Sequence, residues 1–342
     1  MRELTVELSN NSYDIFINNN IIDNAGSYIK NIYKNKEVYI LTDVRVKELY
    51  LDRLIKGLEG FNVHSVVIEG YEKAKSIKVY EEVCNELISL GIKRNHLLIA
   101  LGGGVIGDLC GFVSATLYRG IPFVQIPTSL LAQMDSSIGG KVGINLEIGK
   151  NLLGAFNQPK LVLVDPLVLN TLPKKEFASG MGELIKHAFI GNPQILDMLD
   201  GTINEDIVCE SLKVKKRVVE NDEFDMGERM ILNFGHTIGH AIEKKAGYGF
   251  YTHGEAVALG MLMAIRLGIK LGITKPYIYD KLKEVLVKYD MANDDLDLKE
   301  YMYLLKYDKK NIAGTLHFIL LEDMGKPIIY KVKDTEVEEL CK

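Results

Sequence analysis

Apolar and polar residues alternate with a period of two at Leu4–Leu8 and again at Tyr13–Ile17, and the polar run Ser9, Asn10, Asn11, Ser12 lies between them. That pattern predicts a hairpin at a sheet edge. Short apolar runs follow at Val38–Leu41, Val63–Ile68, Leu97–Leu101, Pro122–Ile126 and Leu161–Val164. Between most of them the hydrophobic period lengthens to that of a helix, and strands alternating with helices predict a parallel α/β sheet. From about Thr171 the strand signal stops: Glu176–Ile190, Glu205–Asn221, Gly254–Lys270 and Tyr277–Tyr289 all carry helical periodicity. Two late apolar runs, Leu316–Leu321 and Ile328–Val332, read as a small strand pair. The expected organisation is an α/β domain over residues 1–170 and a mainly α-helical domain over 171–342.

Composition narrows the class of protein. A chain of 342 residues suits two domains, and 47% hydrophobic with 25% charged residues is the balance of a globular protein without low-complexity tracts. A formal net charge of −5 argues against a nucleic-acid-binding surface, although a local basic pocket fits inside an acidic total. Cys84, Cys110, Cys209 and Cys341 form no C-x-x-C pair and read as reduced thiols. The first residues, MRELTVELSNN, carry no signal-like region, and the longest apolar stretch, 256–265, is ended by Arg266. A cytoplasmic protein with no membrane segment is expected.

The most unusual stretch is RMILNFGHTIGHAIE, Arg229–Glu243. Arg229, Asn233, His236 and His240 fall at i, i+4, i+7 and i+11, one face of a single helix unless Gly235 interrupts it. His236 and His240 have a zinc-binding spacing, although two satisfied polar side chains would show the same pattern. His253, in YTHGEAVALGM beyond Gly247 and Gly249, could return to the side of the first helix. Glu183, in SGMGELIKHAFI with Lys186 and His187 at i+3 and i+4, offers a carboxylate. Two histidines plus one carboxylate leave a coordination position open, as catalytic zinc requires. Spacing leaves open which two of the three histidines take part.

A nucleotide signal lies earlier, in LLIALGGGVIGDL. Gly102, Gly104 and Gly107 satisfy G-x-G-x-x-G after a strand and before an amphipathic segment, so that backbone amides could approach a pyrophosphate. The simpler alternative is a tight strand-to-helix turn. Asp43, closing the strand VYILTD, could accept ribose hydroxyls, but it precedes the glycines by about sixty positions, the reverse of the usual dinucleotide order. The Gly- and Ser-rich segment Ile126–Phe156 reads as an anion-binding loop between the last two sheet strands, with Lys141, Lys150 and Asn151 in it. Arg119, Lys186, Lys215, Arg229, Lys309 and Lys310 are further basic candidates.

Together, LGGGVIGD, IPTSLLAQMDSSIGGKVGIN, GKNLLGAF, GELIK, LNFGHTIGHAIE and HGEAVALGM resemble the 3-dehydroquinate synthase family of sugar-phosphate cyclases, from about Asp43 to Gly325. The resemblance implies a Rossmann-like NAD-binding α/β domain followed by a helical metal and substrate domain. It implies that Glu183, His236 and His253 bind Zn2+ or Co2+ and that His240 acts on the substrate. NAD contacts are implied for Asp43, Glu72, Lys75, Gly103, Gly104, Val105, Ile106, Gly107, Asp108, Thr128, Ser129, Lys141, Lys150 and Thr171. The substrate pocket is implied to comprise Arg119, Asp135, Lys141, Asn151, Lys186, Lys215, Arg229, Asn233, His240 and one of Lys309 or Lys310. One departure is an inserted residue in Gly70–Lys75, which loosens the assignment of Glu72 and Lys75. The implied reaction converts 3-deoxy-arabino-heptulosonate 7-phosphate into 3-dehydroquinate through transient oxidation by NAD, β-elimination of phosphate, reduction and aldol closure. The family resemblance also implies a homodimer in which Arg119 reaches the neighbouring site. Two other readings compete: a metal-dependent polyol dehydrogenase, which would release NADH, and a catalytically dead nucleotide- or anion-binding protein on the same scaffold.

Overall fold

In a computed structural model that describes residues 1–247, 250–291, 296–297, 301 and 315–333, the first alternating pair forms the expected hairpin. Strand β1 (Arg2–Val6) pairs antiparallel with β2 (Tyr13–Ile17), Leu4 opposite Ile15. The first strand ends two residues earlier than its pattern predicts. The Ser12 hydroxyl accounts for this by accepting from the Leu8 N–H and donating to the Leu8 carbonyl, both at 2.9 Å, so that Leu8 bonds locally instead of joining the ladder.

The remaining apolar runs form β3 (Glu37–Asp43), β4 (Asn62–Ile68), β5 (Leu97–Gly102), β6 (Phe123–Pro127) and β9 (Leu161–Val164), with β7 and β8 described below. The seven-stranded sheet has the order β1-β2-β9-β6-β5-β3-β4, parallel throughout except for β1. Both faces are covered, which explains why these strands read as continuous apolar runs. Val38 and Ile40 of β3 join Leu97, Ile99 and Leu101 of β5 on one side, against α1 (Ala25–Ile32) and α3 (Asp52–Gly57), the latter following the short α2 (Val44–Val46). Tyr39, Leu41, Leu98 and Ala100 point to the other side, against α4 (Ile77–Ser89) and α5 (Gly104–Thr116).

The segment 126–156, read from sequence as a loop, contains regular structure. A helical turn over Ala132–Ser136 leads into an antiparallel hairpin, β7 (Lys141–Leu146) and β8 (Gly149–Phe156). Its glycines masked the period-two pattern, yet Val142 and Ile144 bury into the core beside α5. Gly143 and Gly154 face each other across the ladder, where a Cβ would strike the opposite backbone.

The chain divides into two compact units, Met1–Leu172 with Ile203–Lys216, and Pro173–Thr202 with Arg217–Lys342. Residues 203–216 join the first unit through an Arg2–Asp206 ion pair of 2.5 Å and a bond of 3.2 Å from the Asn19 N–H to Glu205. Of these, 205–216 belong to α7 (Glu205–Asn221). The second unit holds α6 (Lys174–Ile190), α8 (His236–Ala246), α9 (His253–Lys270), α10 (Tyr277–Lys288) and the antiparallel pair β10 (Thr315–Asp323) and β11 (Lys326–Lys333). No helix among the described residues is long and apolar enough to cross a membrane.

Helix α9 is buried along nearly its whole length, and its small residues let neighbouring backbones touch it. A Cβ on Gly254 would lie 1.9 Å from the Ser179 carbonyl oxygen of α6. One on Gly260 would lie 2.0 Å from the Gly235 oxygen at the start of α8. Glu183 and His253, one turn and one residue from that α6–α9 contact, are thereby held opposite each other. Gly254→Ala should therefore overpack the contact and cost about 1–3 kcal/mol of unfolding free energy. Denaturant titration checks this, and an unchanged midpoint would refute backbone contact between α6 and α9.

Candidate active site

Glu183 lies in the middle of α6 with its side chain 1% exposed. A carboxylate so far from water needs partners for both oxygens. Oε2 pairs with the equally buried ammonium of Lys186, one turn along the helix. Oε1 accepts no hydrogen bond among the described residues and faces two imidazoles instead, His236 Nε2 at 3.4 Å and His253 Nε2 at 3.7 Å. Ligand atoms at 2.0–2.1 Å from a tetrahedral zinc stand roughly 3.4 Å apart. The three donors therefore fit a divalent cation in spacing and in chemistry.

The two imidazoles reach Glu183 from helix starts. Gly235 has φ of 81°, a left-handed turn that interrupts the predicted single helix. The stretch is instead a 3-10 turn over Glu228–Asn233 followed by α8, so Arg229 and Asn233 do not continue the face of His236 and His240. His236 becomes the first residue of α8, and its Nδ1 lies 3.3 Å from the Phe234 carbonyl. His253 begins α9 behind a capping box in which Thr252 Oγ1 accepts from the Glu255 N–H and Glu255 accepts from the Thr252 N–H. Its Nδ1 lies 3.5 Å from Glu243. Burial opposes the charged form of His253, but Glu243 and Glu183 outweigh it and hold its pKa above the ordinary histidine value. His240, one turn along α8, has its ring 5.7 Å from that of His236 and 5.9 Å from that of His253.

Arg229 is buried, and its Nη1 donates to the Glu223 carbonyl at 2.6 Å. The turn that presents it is closed by Asp222, whose carboxylate accepts from the backbone N–H groups of Met226, Gly227 and Arg229. Those bonds oppose the burial of Asp222 and leave its carboxyl below the ordinary range. Asn233 is exposed. Lys309 and Lys310 lie outside the described residues.

In the first unit, Gly102 ends β5 and Gly103 caps α5. A Cβ on Gly102 would lie 2.6 Å from Ile106, and one on Gly107 would lie 2.6 Å from Gln125 of β6, so these two glycines serve helix–sheet packing. Gly103, Gly104 and Val105 offer the open amides of a helix N-terminus, while Ile106 is core and Asp108 follows one turn on. The reversed order of Asp43 and the glycines has a topological reason. Strand β3 pairs with β4 on one side and β5 on the other, so Asp43 and Gly102 end adjacent strands at a switch point, where open sheets bind ligands. The Asp43 carboxylate accepts from the Val46 N–H at 3.0 Å. Thr128 follows β6 with its N–H bonded to the Gly102 carbonyl, and Ser129 lies beside Gly103. The Thr171 hydroxyl is 2.5 Å from that of Tyr50.

The hairpin closes against the segment around Lys75. The Lys75 ammonium, almost fully buried, donates to Asp108 at 2.7 Å and to Asn151 at 2.5 Å, and Asn145 donates to Glu72 at 2.7 Å. Burial raises the Asp108 pKa, with Lys75 acting against it. Lys141 and Lys150 are exposed residues of the hairpin. Lys215 donates to the Asp135 carboxylate at 2.7 Å, bringing two predicted substrate residues together. Tyr118 and Arg119 take left-handed φ values of 51° and 62°, a strain of about 1–3 kcal/mol each. They present Arg119 on the surface.

Fold and residue clusters together place the chain among the sugar-phosphate cyclases. It matches the solved structure of a 2-deoxy-scyllo-inosose synthase complexed with carbaglucose-6-phosphate, NAD+ and Co2+ over 99% of each chain, at a TM-score of 0.87 and 25% identity. A 2-epi-5-epi-valiolone synthase from Streptomyces hygroscopicus with NAD+ and Zn2+ bound matches over 98% of this chain and 97% of that one, at 0.84 and 25%. Residues 65–179 match the 3-dehydroquinate synthase N-terminal family and 180–311 its C-terminal counterpart. A 3-dehydroquinate synthase from Clostridium perfringens is 45% identical over 96% of this chain and 98% of its own length. The chain belongs to the 3-dehydroquinate synthase family.

Sequence reasoning assigned no role to Glu243 or Asp222. Glu243 lies seven residues after His236, two turns along the same helix face, which is the signal that could have found it. Asp222 opens the Asn-, Asp- and Gly-containing stretch NDEFDMG, a turn signal. With the ligands assigned as above, His253→Ala should lower bound zinc to a small fraction, whereas His240→Ala should retain the metal and lose turnover. Elemental analysis of the two purified variants checks this, and equal metal loss would reverse the assignment.

Proposed function

We propose that this protein converts 3-deoxy-arabino-heptulosonate 7-phosphate into 3-dehydroquinate and inorganic phosphate. The observation that carries the reading is the lone-pair cluster of Glu183, His236 and His253 beside Lys186 and His240, in a chain of this family. Those three residues would hold a divalent cation, Zn2+ or Co2+, which supplies a Lewis acid for a substrate oxygen. Bound NAD supplies a reversible hydride acceptor, and the open amides after β5, with Asp43, Thr128 and Ser129 at the same sheet end, are the groups proposed to bind it.

The chain's own residues have distinct tasks in this reading. Lys186 neutralises the second oxygen of Glu183, so the cluster keeps one carboxylate oxygen for the cation. His240, which is not a ligand in this assignment, is the residue proposed to move a proton at the substrate. Lys215, fixed by Asp135, supplies a second ammonium group for proton relay. Arg229, Lys141 and Asn151 supply the cationic and amide donors that a substrate bearing both phosphate and carboxylate needs. The exposed apolar side chains of Leu152, Leu153 and Phe156 on β8 support assembly as a homodimer. Free thiols at Cys84, Cys110 and Cys209 support a reducing, cytoplasmic setting.

The deciding experiment incubates the protein with the heptulosonate phosphate and follows phosphate release and NADH absorbance together. Because the hydride is borrowed and returned, phosphate should appear with catalytic NAD and without lasting NADH. Stoichiometric NADH would favour a polyol dehydrogenase. Prior chelation should abolish phosphate release, and zinc or cobalt should restore it.

Arg229→Lys loses the planar fork and should weaken turnover by about 1.5 to 3 kcal/mol, the worth of a charged hydrogen bond. Glucose 6-phosphate and sedoheptulose 7-phosphate, which lack the carboxylate, should be poor substrates. Rates on them equal to that on the heptulosonate would leave only the wider cyclase class standing.

A further inference from the structure

The geometry points to Glu243 as the positioning residue that sets the tautomer and orientation of His253 for metal binding. This inference rests on Glu183, His236 and His253 being the metal ligands. The His253 ring lies between two carboxylates, with Nδ1 at 3.5 Å from Glu243 Oε2 and Nε2 at 3.7 Å from Glu183 Oε1. A neutral imidazole carries one N–H. With that proton on Nδ1 it faces the Glu243 carboxylate, and the Nε2 lone pair is left directed at Glu183. The opposite tautomer would turn a lone pair toward one carboxylate and fill the ligand position with a proton.

The three ligands differ in how firmly they are held. Glu183 is 1% exposed and braced by Lys186. The His236 side chain is 15% exposed and its Nδ1 lies beside a main-chain carbonyl, a partner that no side-chain substitution removes. His236 and His253 both begin their helices, but the His253 side chain is 34% exposed, so it has the most freedom to swing away. Its Nδ1 partner is a side chain from another helix, and the energetic weight of orientation therefore falls on Glu243.

One alternative uses the same residues differently. His240, Glu243 and His253 also bring ligand atoms within 4.8 Å of one another, so Glu243 could itself coordinate a cation. The cobalt spectrum separates these roles.

The test is Co2+ titration of the metal-free full-length protein, comparing the unmutated chain with Glu243→Gln, Glu243→Ala and Glu183→Ala. Glu243→Ala should weaken Co2+ binding about 10- to 100-fold. Glu243→Gln, whose amide oxygen still accepts from Nδ1–H, should weaken it less. At saturating Co2+ the visible d–d bands of both Glu243 variants should match those of the unmutated protein, because the ligand set is unchanged. The metal-free melting temperature of Glu243→Gln should be unchanged, which separates positioning from folding. Unchanged Co2+ affinity in both variants would overturn the inference. So would altered d–d bands in the Glu243 variants with binding retained in Glu183→Ala, which would make Glu243 a ligand. Failure of the unmutated protein to bind Co2+ would instead overturn the ligand assignment beneath it.

Discussion

A carboxylate cannot be buried without compensation, and the second unit is arranged around that constraint at Glu183. One oxygen is matched by Lys186, and the other accepts no hydrogen bond among the described residues and faces two imidazole nitrogens, a donor set that a divalent cation between them would satisfy. Bringing the three donors together requires three helices to approach more closely than ordinary side chains permit. The glycine contacts between α6 and α9, and between α8 and α9, supply that approach. Packing and chemistry are thus one problem here: the apolar, small-residue character of α9 exists to bring a polar cluster together.

Much of this was legible in the sequence. The apolar runs identify the inner strands of the main sheet because burial on both faces leaves little room for polar residues, and alternation identifies the hairpin at its edge. His236 and His240 stood out because a helix face expected to be buried rarely carries imidazole, and His253 and Glu183 were further donors in nearby helical segments. What could not be read was backbone geometry hidden in glycines. The left-handed turn at Gly235 divides a face that spacing predicts to be continuous, and the glycines of 139–154 conceal a hairpin inside an apparent loop. Choosing between His240 and His253 as ligands needed the family resemblance, since the two share residue type and neighbourhood.

The role of Asp43 shows a different kind of limit. Sequence distance placed it far from the glycines, and only the strand order makes the two ends neighbours. A motif search tied to linear spacing misses such a pair, because hydrogen bonding between strands is indifferent to how many residues separate them.

That same strand order governs when the crevice can come into being. Strand β5 is inserted between β3, made earlier, and β6, made later, while β4 sits outside them at the edge. The growing chain therefore holds Asp43 long before the turn at Gly102 exists, and neither end is fixed until β5 is in register with both neighbours. Contacts of such long sequence separation form late and slowly. A ligand bound across this crevice would have no purchase on the partly folded sheet, so its binding energy would be added wholly to the native state and would act as a thermodynamic lock on the completed fold.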